Sequence, residues 1–182
     1  MVGDALEMNR VNSGCGHANP SQSDWEKWLG QQLPKFLLFA RQQARSEADA
    51  QDLVQEAVVE CWHRQSHGEM PALGTVFATI RRRAIDLSRS QDRRAGREAT
   101  VAKETPLTWF DSGVEDRERN LLMQGALRKL PEIYRDVVTL KVWGELTFAE
   151  IAEVLDIPAN TAASRYRYGL TELRKQTKEI FE

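Results

Sequence analysis

Three groups of residues combine side-chain chemistry with a spacing that could act on another molecule. The first is a carboxylate stripe, in which Asp49, Asp52, Glu56 and Glu60 recur at steps of three, four and four. That spacing puts them on one face of a helix. Such a face can be merely solvated, can meet a cationic protein surface, or can hold Mg²⁺ if further ligands converge on it. The second group lies between Arg81 and Arg97, where seven arginines face only Asp86 and Asp92. Arginine at this density favours phosphate contact, but without interleaved aromatic rings it does not make a base-stacking platform. The third group follows the break Asp156-Ile157-Pro158. Asn160, Thr161, Ala163, Ser164, Arg165, Arg167 and Tyr168 lie mostly off the face made by Ala162, Tyr166, Gly169 and Leu173. Amide, hydroxyl and guanidinium groups on a free helix face are the groups that address base edges and phosphates in a major groove.

The elements that would position these groups are helical. Thr147 and Glu150 have the spacing of a capping box, and Phe148, Ile151, Ala152 and Leu155 follow at helical intervals. Proline at 158 cannot continue that helix but suits the first turn of the next. Two short helices, a tight turn and an arginine-bearing second helix make a helix-turn-helix. Gly169 within the second helix costs roughly 1 kcal/mol against alanine, which implies close packing there.

Upstream, Ser23 and Glu26 also have capping-box spacing, with Trp25, Trp28, Leu29, Leu33, Phe36, Leu37 and Ala40 as the buried face that follows. Pro34 predicts a kink or a boundary. Leu53, Val54, Ala57, Val58 and Cys61 back the carboxylate stripe. A third helix turns Val76, Ile80, Ala84 and Leu87 inward. Residues 98–115 lose the helical pattern and read as a linker, in which Trp109 and Phe110 are expected to anchor to a domain. Beyond it, Leu121, Leu122, Gly125, Ala126 and Leu130 predict one helix, and Ile133, Val137, Val138, Leu140 and Val142 another. The fold expected is all-α: two small helical domains joined by a flexible linker, the second containing the helix-turn-helix. The expected boundaries are a flexible extension over 1–22, a first domain over 23–97, the linker over 98–115 and the second domain over 116–182.

The chain has 182 residues and a formal net charge of −2, so the sum of charges does not announce a nucleic-acid binder. Distribution says more. Glu47 to Glu60 holds five acids and no base, so an acidic helix and a basic segment in one half suggest two different partners. Two cysteines, Cys15 and Cys61, make no disulfide framework, and a reducing cytoplasm is the simplest setting. Cys15 and His17 offer two metal ligands where zinc takes about four, so neither a metal nor a cofactor is expected. No apolar run reaches membrane-spanning length, so no membrane insertion is expected.

DAQDLVQEAVVECW, IRRRAIDLSR and, after the linker, LRKLPEIYRDVVTLKVWGELTFAEIAEVLDIPANTAASRYRYGLTELR together resemble a bacterial RNA polymerase sigma factor. The group resembled is the compact extracytoplasmic-function (ECF) group of the sigma-70 family, and the order and spacing of the motifs carry the resemblance from about Trp25 to Arg174. It implies core RNA polymerase and promoter DNA as partners, together with an anti-sigma factor, and a cytoplasmic protein with no active site of its own. Asp49, Asp52, Gln55 and Glu56 fall on the helix that docks on polymerase in the family. Arg81, Arg82, Arg83, Asp86 and Arg89 fall on the helix that handles the −10 element. A loop around Ser88 to Arg97, with Arg93 and Arg94, would then capture an unpaired base. Asn160, Thr161, Ala163, Ser164, Arg165, Arg167 and Tyr168 fall on the helix that reads the −35 element. Arg82 stands where many members have Asn, and Ala163 where many have Lys.

Two other functions fit parts of the chain. A free-standing helix-turn-helix regulator would use the C-terminal half, but it leaves the acidic helix and the arginine cluster without a role. A nuclease would need ligands converging on the carboxylate stripe, and no phosphate loop, zinc signature or nucleophile elbow accompanies it.

Overall fold

The computed structural model describes residues 21–64, 69–95, 107–110 and 117–181, and among these residues every regular element is a helix. The helices are α1 (Gln22–Gln43), α2 (Glu47–Arg64), α3 (Leu73–Ala95), α4 (Arg117–Lys129), α5 (Glu132–Val142), α6 (Phe148–Leu155) and α7 (Ala159–Phe181). Of the extension expected over 1–22, residues 1–20 lie outside the described residues, whereas Ser21 and Gln22 are the cap and first residue of α1; the linker also lies outside them apart from residues 107–110.

α1 starts one capping unit earlier than its sequence predicts. The cap is Ser21, whose Oγ accepts from the Asp24 amide at 3.2 Å while Asp24 Oδ2 accepts from the Ser21 amide at 3.1 Å. Asp at the third helical position can replace the expected Glu because it reaches the same amide and also faces the positive end of the helix dipole. Pro34 does not end the helix: α1 runs unbroken through it. The arginine segment is likewise more helical than expected. α3 continues to Ala95, so most of the stretch from Ser88 to Arg97 is helix and not loop, and only residues 96–97 fall outside the described part.

α1, α2 and α3 pack as a bundle around Phe36, Phe39 and Phe77, whose rings meet edge to face at 5.1 and 5.5 Å. Leu53, Val54, Ala57, Val58 and Cys61 fill this core from α2, and Val76, Ile80 and Ala84 from α3. The same core continues into the C-terminal half through Val137, Leu140, Leu146, Ile151, Leu155 and Ala162. α6 lies on α3 and α5 crosses α1. A second cluster gathers Leu38, Leu127, Leu130 and Val138 around Trp109. Trp109 is buried, and the Arg128 guanidinium sits over its ring at 4.8 Å. Its amide donates to Gln124 Oε1 at 2.8 Å and its carbonyl accepts from Arg41 at 3.1 Å. The anchoring expected of Trp109 is therefore present, and Phe110 adds a ring contact with Trp143 at 5.6 Å.

Three apolar positions of the pattern that predicts α4 and α5 are open. Leu121 is 55 % exposed, Ile133 48 % and Val142 45 %. They lie at the start of α4 and at the two ends of α5, where few neighbouring helices reach them.

Candidate polymerase and nucleic-acid interface

The helix-turn-helix forms as its capping chemistry dictates. Thr147 Oγ1 accepts from the Glu150 amide at 3.2 Å, and Glu150 Oε2 accepts from the Thr147 amide at 2.7 Å. Hydrogen bonds from the Thr147 hydroxyl and amide hold the Glu150 carboxyl below its ordinary range. α6 stops because Asp156 adopts a left-handed conformation, φ 54°, and donates its amide to Ala152 O. An αL residue is a common helix terminator, and Asp tolerates it better than most non-glycine residues. Pro158 then precedes α7, and its carbonyl accepts from Thr161 and Ala162.

On α7, Ala162 and Gly169 are buried against the bundle. A Cβ at Gly169 would lie 2.7 Å from Val138 Cγ2, which is the close packing that the glycine implied. The opposite face is open: Asn160, Arg167 and Tyr168 are exposed, while Thr161, Ala163, Ser164 and Arg165 are partly so. The Ser164 hydroxyl donates to Asn160 O at 2.9 Å and accepts from Arg167 at 3.5 Å. The Tyr168 ring leans on Tyr134 at 6.3 Å. The seven residues predicted for this helix thus share one solvent-facing surface.

In the N-terminal half, Asp52, Gln55 and Glu56 are exposed and Asp49 is partly so. The carboxylate stripe is not separate from the arginine helix. Arg83 donates through Nε to Glu60 Oε2 at 2.9 Å and also pairs with Glu56, while Arg82 pairs with the other Glu60 oxygen. Gln91 donates to Asp49 at 3.2 Å. Partial burial works to raise the Glu60 carboxyl, but hydrogen bonds from Arg83 and Arg82 and the charges of Arg82 and Arg64 outweigh it and hold the group low. Asp49, Asp52 and Glu56 share one depression of 310 Å³ with Arg83 and Asp86. The two sequence signals are the two walls of one cleft, and the arginines partly neutralise the acids. Asp86, Arg89 and Arg93 stand exposed further along α3, with Arg89 4.0 Å from Asp86. Arg81 is partly covered. The Arg94 side chain lies outside the described residues.

One surface is more open than its sequence suggests. Trp25, Leu29 and Leu33 of α1 face Val58, Val59 and Trp62 of α2 across an apolar groove of 740 Å³, with Gln55 in its lining. Leu33 is 36 % and Trp62 40 % exposed, although Leu33 falls on the face expected to be buried. The signal for the groove was present in the unusual pairing of apolar Val59 and Trp62 with the acidic side of α2. Among the described residues no three His, Cys, Asp or Glu side chains converge in a way that could hold a metal. No described helix is long and apolar enough to cross a membrane.

Comparison with known proteins agrees with this geometry. The family model for sigma-70 region 2 matches residues 30–94, and that for sigma-70 region 4 matches residues 120–173. The ECF RNA polymerase sigma factor SigL of Mycobacterium tuberculosis is 30 % identical over 136 residues, which cover 73 % of this chain and 77 % of that one. The chain belongs to the ECF sigma factors. RNA polymerase sigma-E factor of Streptomyces coelicolor is 26 % identical over 153 residues, covering 84 % of this chain and 85 % of that protein. The sigma factor RpoE of Bartonella quintana, solved in complex with the anti-sigma factor NepR, has the same fold. It superimposes with a TM-score of 0.64 at 21 % identity, covering 86 % of this chain and 98 % of that one. In this sigma factor, region 2 takes in most of α1, all of α2 and nearly all of α3, and region 4 runs from α4 to Leu173 of α7.

Proposed function

We propose that this sigma factor binds core RNA polymerase through α2, opens the −10 element with α3 and reads the −35 element with α7. The observation that carries the reading is the placement of region 2 and region 4 chemistry. The acidic and arginine faces meet at one cleft, and a separate polar face of α7 is open to solvent. Asp49, Asp52, Gln55 and Glu56 would meet a cationic polymerase surface. Arg81, Arg82, Arg83, Asp86, Arg89, Arg93 and Arg94 would handle the −10 strands. Arg165 would contact a guanine edge or its phosphate, with Asn160, Thr161, Ala163, Ser164, Arg167 and Tyr168 around it. The division of labour follows residues 23–97, 98–115 and 116–182.

In this reading the chain is a cytoplasmic specificity subunit that carries no active site. A net charge of −2 is no handicap, because it reaches DNA as part of the polymerase. The RpoE structure holds an anti-sigma factor, and a partner of that kind is proposed for this chain. A regulator acting without polymerase would leave the region 2 match unused.

The test is run-off transcription on a pool of promoter fragments, with core polymerase alone and with the protein added. Transcripts that depend on the protein and share two spaced upstream elements are expected. Failure both to bind core and to start transcripts would refute the reading.

A further inference from the structure

Regions 2 and 4 share a core along a seam between α1/α3 and α5/α6. There Phe36, Phe39, Phe77 and Ile80 pack in one cluster with Val137, Leu140, Leu146 and Ile151. Where α1 crosses α5 the seam turns polar. Gln43 Nε2 donates to Asp136 Oδ1 at 2.8 Å, and the Thr139 hydroxyl donates to Gln42 Oε1 at 3.0 Å. Asp136 is 3 % exposed, and Gln42 Nε2 is buried without a hydrogen-bond partner. A carboxyl thus sits in a dry corner of the seam where polar groups are incompletely satisfied.

Asp136 belongs to region 4, and the hydrogen bond it accepts comes from region 2. Parting of the two regions would remove the Gln43 partner and return the carboxyl to water. The charges that act on it are Arg135 and Glu132 of its own helix and Arg81 of α3. α1 presents the neutral Gln43, while Lys35 of the same helix is engaged by Glu145 at 2.8 Å. Burial outweighs the Gln43 hydrogen bond and the two arginine charges, and holds the carboxyl at about 6 instead of 3.8. The packed arrangement therefore prefers the protonated acid.

We propose that Asp136 makes the packing of region 2 on region 4 respond to acidity: proton uptake by its carboxyl holds α1 against α5, and proton loss loosens that crossing while each region keeps its helices. The direction follows from linkage. A group that binds its proton more tightly in the packed form favours that form fully below about 3.8, and the gain is lost as pH rises through about 6. With these two values the ratio of packed to parted protein falls about tenfold between pH 5 and pH 8, with most of the fall below about pH 7. The response belongs to the seam alone, and it requires neither polymerase nor DNA.

The test is energy transfer between dyes on the two regions of the full chain, followed from pH 5 to pH 8. The dyes are carried on Lys27→Cys of α1 and Lys175→Cys of α7, both exposed, with Cys15→Ser; Cys61 is buried and stays unlabelled. Transfer is expected to fall as pH rises, with the ratio of packed to parted protein dropping about tenfold and helical circular dichroism unchanged. Asp136→Asn in the same background is expected to keep the acid value at every pH. Gln43→Met removes the hydrogen bond that favours the ionised form, so its midpoint is expected to move to higher pH. Transfer that does not change with pH overturns the proposal, as does an Asp136→Asn profile like that of the unsubstituted chain. A Gln43→Met midpoint at or below the original one also counts against it. If helical signal is lost together with transfer, the acidity acts on folding as a whole and the proposal fails.

Discussion

Asp136→Asn is expected to stabilise the protein at neutral and alkaline pH and to do little in acid. Asp136 is 3 % exposed at the α1–α5 crossing. Burial pushes its carboxyl up from 3.8 to about 6, against the opposing effects of the Gln43 hydrogen bond and the Arg135 and Arg81 charges, with Glu132 adding to the rise. A group whose pKa is higher in the folded state binds its proton more tightly there. Its contribution to stability is full below about 3.8 and is lost as pH rises through about 6. A rise of that size corresponds to about 3 kcal/mol at most, the cost of holding the charged form buried. Asparagine keeps an oxygen to accept from Gln43 and never ionises, so it resembles the protonated acid at every pH. Urea unfolding of wild type and variant, compared pairwise at several pH values, isolates this one group from the other carboxylates. The stability difference should grow from near zero in acid to about 1–3 kcal/mol at pH 8. A difference independent of pH, or a variant less stable than wild type at pH 8, would refute the reasoning.

The other predictions concern the two faces and their support. Asp52→Ala should weaken core polymerase binding, measured by competition, while shifting unfolding by no more than about 0.5 kcal/mol, because Asp52 is exposed. Arg165→Ala should reduce promoter-selective transcription while core binding survives; equal loss of both would count against the separation of roles between α2 and α7. Gly169→Ala gains roughly 1 kcal/mol of helix propensity but drives a methyl to 2.7 Å from Val138. Overpacking of this kind costs about 1–3 kcal/mol, so a net loss in thermal unfolding is expected. Asp156→Gly relieves a left-handed aspartate at the turn and should raise stability by up to about 1 kcal/mol.

Sequence was most informative where the causes are local. The Thr147–Glu150 box, the Pro158 turn and the periodicity of α6 depend on residues within a few positions of one another, and each is where its pattern places it. The glycine in α7 announced a close approach, though only the fold could name Val138 as the neighbour. Local reasoning erred where two caps competed or where length decided. Ser21 takes the N-cap ahead of Ser23, and α3 outruns its apolar pattern because arginine is a good helix former and the chain meets no breaker before Gly96.

What one dimension could not convey is which surfaces face each other. Opposite charges on α2 and α3 suggested two partners, and so they remain in the proposed function. The same charges also pair across the helix interface through Glu56, Glu60, Arg82 and Arg83. Helical periodicity assigns a residue to a face but does not tell which neighbour that face meets. For that reason Trp109 could be recognised as an anchor before its hold on α1 through Arg41 was visible. The seam between α1/α3 and α5/α6 is of the same kind. Its residues are separated by about a hundred positions in the chain, as in the Gln43–Asp136 and Gln42–Thr139 pairs. Each looked like an ordinary polar residue on an amphipathic helix. Brought together, they place a buried carboxylate and an unsatisfied amide at the boundary between the region proposed to open DNA and the region proposed to read it.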